Sequence, residues 1–406
     1  MAPQFKRCSF CNRPQNEVRN LIIGSDNGTY ICDGCVRNSA LALEEIAASD
    51  GTKTTKVALL KPSQIKASLD ELVISQEDAK REVAIAVYEH YRRREVAGKG
   101  LMLDGEAVEV EKSNIMMLGP SGTGKTQIFR AIAKLLDVPF YVGDATSLTS
   151  SGYVGNDVES LLQGLLADAH GDVEKAQWGI IFLDEFDKLA RKSGRSASGY
   201  RDITGEGVQQ ALLKLIEGSK VMVPRGMGAR AVAAGPNADM IDTSNILFVG
   251  AGSFAGIEEV VERRLNKMSR MGFGGMHRLN PDKTAIYKQV TVGDIEAFGM
   301  IPEIVGRMPV LTSTYELTEE DLVRILVEPK SSLTKQFRAL YALDGIELQF
   351  DQDALVAIAQ EAKKRSTGAR ALRAIMKAVL KPHSYAAPDN SEITQIRITA
   401  EAVRLV

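Results

Sequence analysis

Aromatic residues are few. The chain of 406 residues holds one tryptophan, and Phe, Trp and Tyr together make up 6% of it. Cysteine is confined to one place: all four lie within the first 35 residues. That excludes a disulfide-laced secreted scaffold, and in a reducing compartment such a cluster points to a metal. Net charge is nearly absent, at −2 formally. The overall balance gives no pull toward nucleic acid or an anionic membrane. No run comes near the roughly 20 apolar residues needed to cross a bilayer. The opening stretch, MAPQFKRCSFC, lacks the apolar core of a secretory signal. No internal repeat is visible. These absences predict a cytoplasmic protein with neither a membrane nor a nucleic acid as partner.

What is present is an ordinary globular composition, 44% hydrophobic and 25% charged. The length exceeds one compact core and predicts two or three domains. Residues 1–48 read as a small cysteine-bearing module. Residues 49–61 read as a linker, because SDGTKTTK carries no hydrophobic period. Residues 62–316 read as a large domain. Ser75 precedes Asp78 at a capping-box spacing, ahead of the helical run AKREVAIAVYEHYRRR. Three apolar runs, NIMML at 114–118, GIIFLD at 179–184 and NILFVGA at 245–251, read as buried parallel strands. Helical patterns lie between them, which is the α/β class: a parallel sheet wrapped by helices. Two stretches rich in Gly, Ser, Ala and Arg, 193–207 and 224–239, read as long loops, either functional or disordered. Residues 317–406 turn mostly helical, with IELQF and ITQIRIT as a closing strand pair, and read as a small α+β lid domain.

The strand NIMML runs straight into GPSGTGKT at 119–126, which matches the phosphate-loop pattern at every position. Glycines let backbone N–H groups surround phosphates, and a helix beginning near Gly124 aims its positive end at them. Pro120, Ser121, Gly122, Thr123, Gly124 and Gln127 belong to this cradle. Lys125 reaches the β- and γ-phosphates, and the Thr126 hydroxyl ligates Mg²⁺. The run IIFLDE supplies the second half. Asp184 holds the Mg²⁺, and Glu185 orients and deprotonates the attacking water. Kinases and small GTPases share the first motif, but the Asp-Glu pair favours hydrolysis over transfer to a hydroxyl. Near the N-terminus, Cys8-x2-Cys11 and Cys32-x2-Cys35 are spaced as four thiolates around one tetrahedral Zn²⁺. With no position left open, that site is structural, and metal would supply folding energy to so small a module.

Further stretches, GYVGNDVESLL, GEGVQQALLKLIEG, IPEIVGR and TGARALR, resemble the ClpX family of AAA+ proteins, in its order and over essentially the whole chain. The resemblance implies an AAA+ P-loop core with a lid domain and an N-terminal zinc module. It implies a homohexameric ring that hydrolyses ATP, unfolds tagged or unfolded proteins, and threads them through an axial pore to a ClpP-type peptidase. No peptidase activity of its own is implied. The arginine of IPEIVGR, Arg307, becomes an arginine finger acting in trans, and Arg370 of TGARALR becomes the sensor of the lid. Val73, Ile74, Ser75 and Gln76 become the adenine cradle, with Ser75 where the family usually has glycine. Tyr153 and Val154, between Gly152 and Gly155, become the pore's paddles, and the loop from Arg201 to Glu206 a second pore loop. Met271, Gly272 and Phe273 become the peptidase-docking tripeptide. The family's basic triad at the pore mouth is reduced here to Arg225 and Arg230. The zinc module would dimerise and bind substrates and adaptors. Two other readings stand beside this one. An ATP-driven chaperone could remodel complexes without any protease. A nucleic-acid motor is disfavoured by the near-neutral charge and the aromatic pore loop.

Overall fold

The computed structural model describes residues 6–23, 28–39, 59–96, 101–104, 106–108, 110–149, 156–191, 203–224, 238–271, 286–365, 367–387, 390 and 392–405. The chain divides into two compact units, Met1–Ala58 and Leu59–Val406.

In the first unit, Leu21–Ile23 pairs antiparallel with Tyr30–Cys32, and residues 33–39 are helical. Among its described residues only Cys8 and Cys32 are buried. So little apolar core among the described residues calls for a cross-link to hold them.

The second unit opens with helices α1 (Pro62–Asp70) and α2 (Glu77–Val96). Five parallel strands follow: β1 (Ile115–Leu118), β2 (Phe140–Asp144), β3 (Ile180–Asp184), β4 (Leu247–Gly252) and β5 (Val310–Ser313). Their order across the sheet is β5-β1-β4-β3-β2. Every residue of β1 and β4 is buried, as expected of strands covered on both faces. Helices α3 (Lys125–Leu136) and α4 (Ile203–Glu217) lie between strands in the chain. An apolar core that includes Leu183, Phe186, Leu212 and Phe248 fills the domain. The lid adds α5 (Glu319–Val327), α6 (Leu333–Leu343), α7 (Gln352–Lys364) and α8 (Arg370–Ala386). Strands β6 (Glu347–Phe350) and β7 (Gln395–Ile398) pair parallel. The lid has its own core, including Leu322, Ile358, Leu372 and Ile398.

The three strands expected from apolar runs are present, and two more flank them. Both newcomers are edges of the sheet. FYVGD in β2 is half-buried and ends in Gly-Asp, and VLTS in β5 carries two hydroxyl residues. Edge strands are covered on fewer sides and need no continuous apolar run. Arg307 is not in a loop: it caps the short helix Pro302–Gly306 just ahead of β5. The stretch 193–207 is not all loop either, since α4 begins at Ile203. Ser75 does not cap α2. Ser75 and Gln76 have φ of 59° and 64°, and the Ser75 hydroxyl donates instead to Asp321 of the lid. The linker stretch 49–56 lies outside the described residues.

Candidate functional site

The phosphate loop leaves the C-terminal end of β1 in a path only glycine tolerates at two points. Gly119 has φ of 139°, and a Cβ there would lie 2.2 Å from Thr314 Oγ1. Gly122 has φ of 76°, and a Cβ there would lie 2.3 Å from the Thr367 carbonyl oxygen of the lid. The loop is tied to the strand beside it. Thr314 N donates to Leu118 O at 2.8 Å, and the Thr123 and Thr314 hydroxyls meet at 2.7 Å. Helix α3 then starts at Lys125, and no side chain caps its first turn. Its N–H groups and positive end are left facing the loop, an arrangement suited to an anion. Thr126 is half-buried in that first turn and Gln127 is exposed.

Lys125 is 9% exposed. Its Nζ donates to the carbonyls of Gly119 at 2.6 Å and Pro120 at 2.8 Å. Burial pushes the ammonium down to about 8, and Arg370 adds to the push, while Asp184 and Asp187 oppose it. These four charges therefore share one neighbourhood. Asp184 ends β3, and its Oδ1 accepts from the Glu185 backbone N–H at 3.0 Å. Glu185 has φ of 55°, a left-handed conformation at a non-glycine residue. The turn throws its carboxylate outward, where a water can reach it; such strain at an acid beside a phosphate loop fits a catalytic base. Asp187 is buried, accepts from Ser253 N and Oγ at 3.2 Å each, and ties β3 to the end of β4.

The lid closes over this edge of the sheet. Ala369 N donates to Gly122 O at 3.2 Å. The Arg370 guanidinium lies 3.9 Å from the Asp184 carboxylate. Between loop and lid runs a cavity of about 60 Å³, lined by Pro120, Ser121, Thr123, Leu317 and Gly368 among others. Val73 and Ile74 are buried, and a Cβ on Gly124 would lie 3.7 Å from Val73 Cγ1. The loop, Lys125, Asp184 and Arg370 thus share one neighbourhood, with Val73 against the start of α3.

Arg307 is elsewhere. Its Nε donates to Glu217 at 3.0 Å, and its carbonyl accepts from Asn114 Nδ2 at 2.8 Å. Asn114 precedes β1, whereas the phosphate loop follows it, so the length of the strand separates the two. At about 3.3 Å per residue that is roughly 16 Å. Tyr153, Val154, Gly272 and Phe273 lie outside the described residues, and Met271 ends the helix Ile257–Met271.

In the first unit the Sγ atoms of Cys8, Cys11, Cys32 and Cys35 all lie within 4.8 Å of one another. Cys32 N donates to Cys8 Sγ at 3.3 Å, and Cys35 N to Cys32 Sγ at 3.4 Å. Desolvation works to raise the Cys8 thiol, but backbone N–H groups of Cys11, Phe10 and Cys32 bring it down to about 6. Hydrogen bonding with Cys11, reinforced by desolvation and the other thiols, drives Cys35 up to about 12. Four sulfurs this close repel one another once ionised, a crowding that a divalent cation relieves. Four thiolates at this spacing fit Zn²⁺ in a closed, structural site.

Sequence reasoning passed over several residues that build the site. Lys80, Asp187 and Tyr315 belong to no motif, and Asp321 carries only a local signal, the Thr318-x-x-Asp321 capping box. Buried charge inside an apolar helical run was the available signal for Lys80; the other three are joined to the site only by the folded chain.

A phosphate loop after an inner strand of a 5-1-4-3-2 parallel sheet, acids on a neighbouring strand and a helical lid define an AAA+ ATPase. Residues 110–311 match the family described as AAA domain (Cdc48 subfamily), and residues 317–398 the C-terminal, D2-small domain, of ClpB protein. Residues 6–45 match the ClpX C4-type zinc finger. The chain is 44% identical over 385 residues to the ATP-dependent Clp protease ATP-binding subunit ClpX of Treponema denticola, covering 94% of this chain and 90% of that protein. The chain belongs to the ClpX family. It hydrolyses ATP, and its cofactors are ATP with Mg²⁺, and Zn²⁺. Among the described residues no helix is long and apolar enough to cross a membrane.

Proposed function

We propose that the chain works as one subunit of a homohexameric ring that unfolds proteins and threads them to a ClpP-type peptidase. The observation that carries the reading is the position of Arg307. A cation suited to meeting charge on a γ-phosphate is held at the end of the sheet opposite its own phosphate loop. Placed so, it is suited to a nucleotide on a neighbouring subunit, and repeating that head-to-tail contact with a closing rotation makes a ring. Hydrolysis at each interface then couples to motion between subunits. Within each site Lys125 and the α3 N-terminus bind phosphate, Asp184 and Thr126 hold Mg²⁺, Glu185 takes the proton from water, and Arg370 senses nucleotide from the lid. Tyr153 and Val154 grip the polypeptide by shape-tolerant apolar contact, and Met271-Gly272-Phe273 docks the peptidase. The similarity to a Clp protease subunit supports this partner.

The test is ATP-dependent loss of fluorescence from a tagged fluorescent protein, with and without the peptidase. Tyr153→Ala should retain most ATP hydrolysis but unfold the folded substrate poorly, with a denatured version suffering less. Phe273→Ala should abolish pull-down of the peptidase and spare unfolding. Equal loss of hydrolysis and unfolding in Tyr153→Ala would place that residue in the framework instead. Unfolding without any peptidase binding by the native chain would favour a protease-independent chaperone.

A further inference from the structure

Between α1 and α2 the chain makes a tight turn that ends in two consecutive left-handed residues, Ser75 and Gln76. L-residues avoid this conformation, and two in succession persist only when their surroundings hold them. Three sets of bonds do so. Lys80, buried in α2, donates from Nζ to the Val73 carbonyl at 3.2 Å. The Gln76 side chain makes a cyclic pair with the Tyr315 backbone: Nε2 donates to Tyr315 O at 2.8 Å, and Tyr315 N donates to Oε1 at 2.9 Å. The Tyr315 hydroxyl accepts from Gln76 N at 2.8 Å. Finally, Ser75 Oγ donates to Asp321 Oδ1.

The last bond differs from the others in what it reaches. Tyr315 lies in the connector between β5 and the lid. Asp321 lies in the first turn of α5, the lid's first helix, and is 9% exposed. Its second oxygen accepts from Thr318 N at 3.0 Å and Thr318 Oγ1 at 2.8 Å, which fixes the carboxylate on the helix. On the opposite side of the turn, Val73 packs toward Gly124 at the start of α3. One short segment therefore touches the phosphate-loop helix and the lid at once. If the lid swings about the connector, Gln76 keeps its grip on Tyr315, while Ser75–Asp321 must break, along with the Glu71–Lys330 contact at the start of the turn.

We propose that Ser75 and Asp321 form a clasp that positions the segment Val73–Gln76 against the lid and so sets the affinity for ATP. Both are positioning residues. The clasp rests on the proposed reading of Val73–Gln76 as nucleotide contacts and is independent of what the motor pulls.

Steady-state ATP hydrolysis by the full-length chain tests it. Ser75→Gly removes the hydroxyl and, at a φ of 59°, also removes the strain, so Tm should not fall. KM for ATP should still rise roughly three- to tenfold, with kcat within about twofold. Ser75→Ala removes only the hydroxyl and should show the same rise in KM. Asp321→Ala also loses the capping of α5, but that loss is common to both halves of a double-mutant cycle. In the Asp321→Ala background, Ser75→Gly should change KM by less than about twofold. A native KM in Ser75→Gly overturns the clasp. So do single effects that multiply in full in the double variant, and so does a KM that rises only where Tm has fallen.

Discussion

Two side chains carry chemistry that a single substitution isolates. Glu185 is exposed at a left-handed turn, and the proposed site gives the nucleotide to Asp184 and Lys125. Glu185→Gln should bind ATP as the native chain does and lose turnover about 100-fold or more, measured by nucleotide binding and phosphate release side by side. Lys125 supplies a pH test. Its ammonium is held down at about 8 by burial, against an ordinary 10.5. Below pH 8 it is charged in the free protein, and ATP meets a ready cation. Above pH 8 it loses its proton, and a bound polyphosphate draws that proton back. ATP affinity should be level below about 8 and fall as pH rises from 8 toward 10.5. Calorimetry in two buffers of different ionisation enthalpy should show proton uptake on binding only in that upper window. The same depressed lysine costs stability below pH 8, and the cost is relieved as pH rises past it.

At the scale of elements, the phosphate loop and the lid meet backbone to backbone. A Cβ on Gly122 would lie 2.3 Å from Thr367 O and 3.1 Å from Gly368 Cα, and neither can move like a side-chain tip. Gly122→Ala should therefore displace the lid and weaken ATP binding at least about tenfold. Gly293→Ala, where a Cβ meets nothing within 4 Å, should leave binding and Tm nearly native. Thermal melts with and without ATP compare the two. How far such contacts could be read beforehand follows from their range. The phosphate loop, its strand and its helix are contiguous, so GPSGTGKT and the run before it carry them in full. The strands β1, β3 and β4 advertise themselves by being buried on both faces. The edge strands β2 and β5 do not, because Gly, Asp, Ser and Thr are tolerated where one side is open. Ser75 misled for a related reason. Serine three residues ahead of an acid is a local helix signal, but a bond to a residue 246 positions away prevailed over it. Asp187 was invisible in the same way, since only the folded chain brings Ser253 to it; Asp321 had a local capping-box signal with Thr318, but nothing in it pointed to Ser75.

The whole molecule consists of a motor unit and a thiolate-held unit that fold on separate cores. Removing zinc with a chelator should unfold the first and leave ATP hydrolysis by the second within about twofold, because the second has its own apolar core and carries the phosphate loop, acids and lid within its own residues. Circular dichroism, zinc content and phosphate release, followed together, check this; a folded, metal-free first unit would contradict it. The order of the sheet has a further consequence, in time rather than space. Strand β1 carries the phosphate loop, and its two neighbours are β4 and β5. Neither emerges soon after it: β5 begins at Val310, nearly two hundred residues later. At a synthesis rate of about 5–20 residues per second, β1 waits roughly 10–40 s for its second neighbour. Through that interval IMML, wholly apolar and buried in the finished sheet, presents an unpaired edge. A protein whose family is matched to a protease subunit is thus, during its own synthesis, dependent for its solubility on whatever shields a nascent strand.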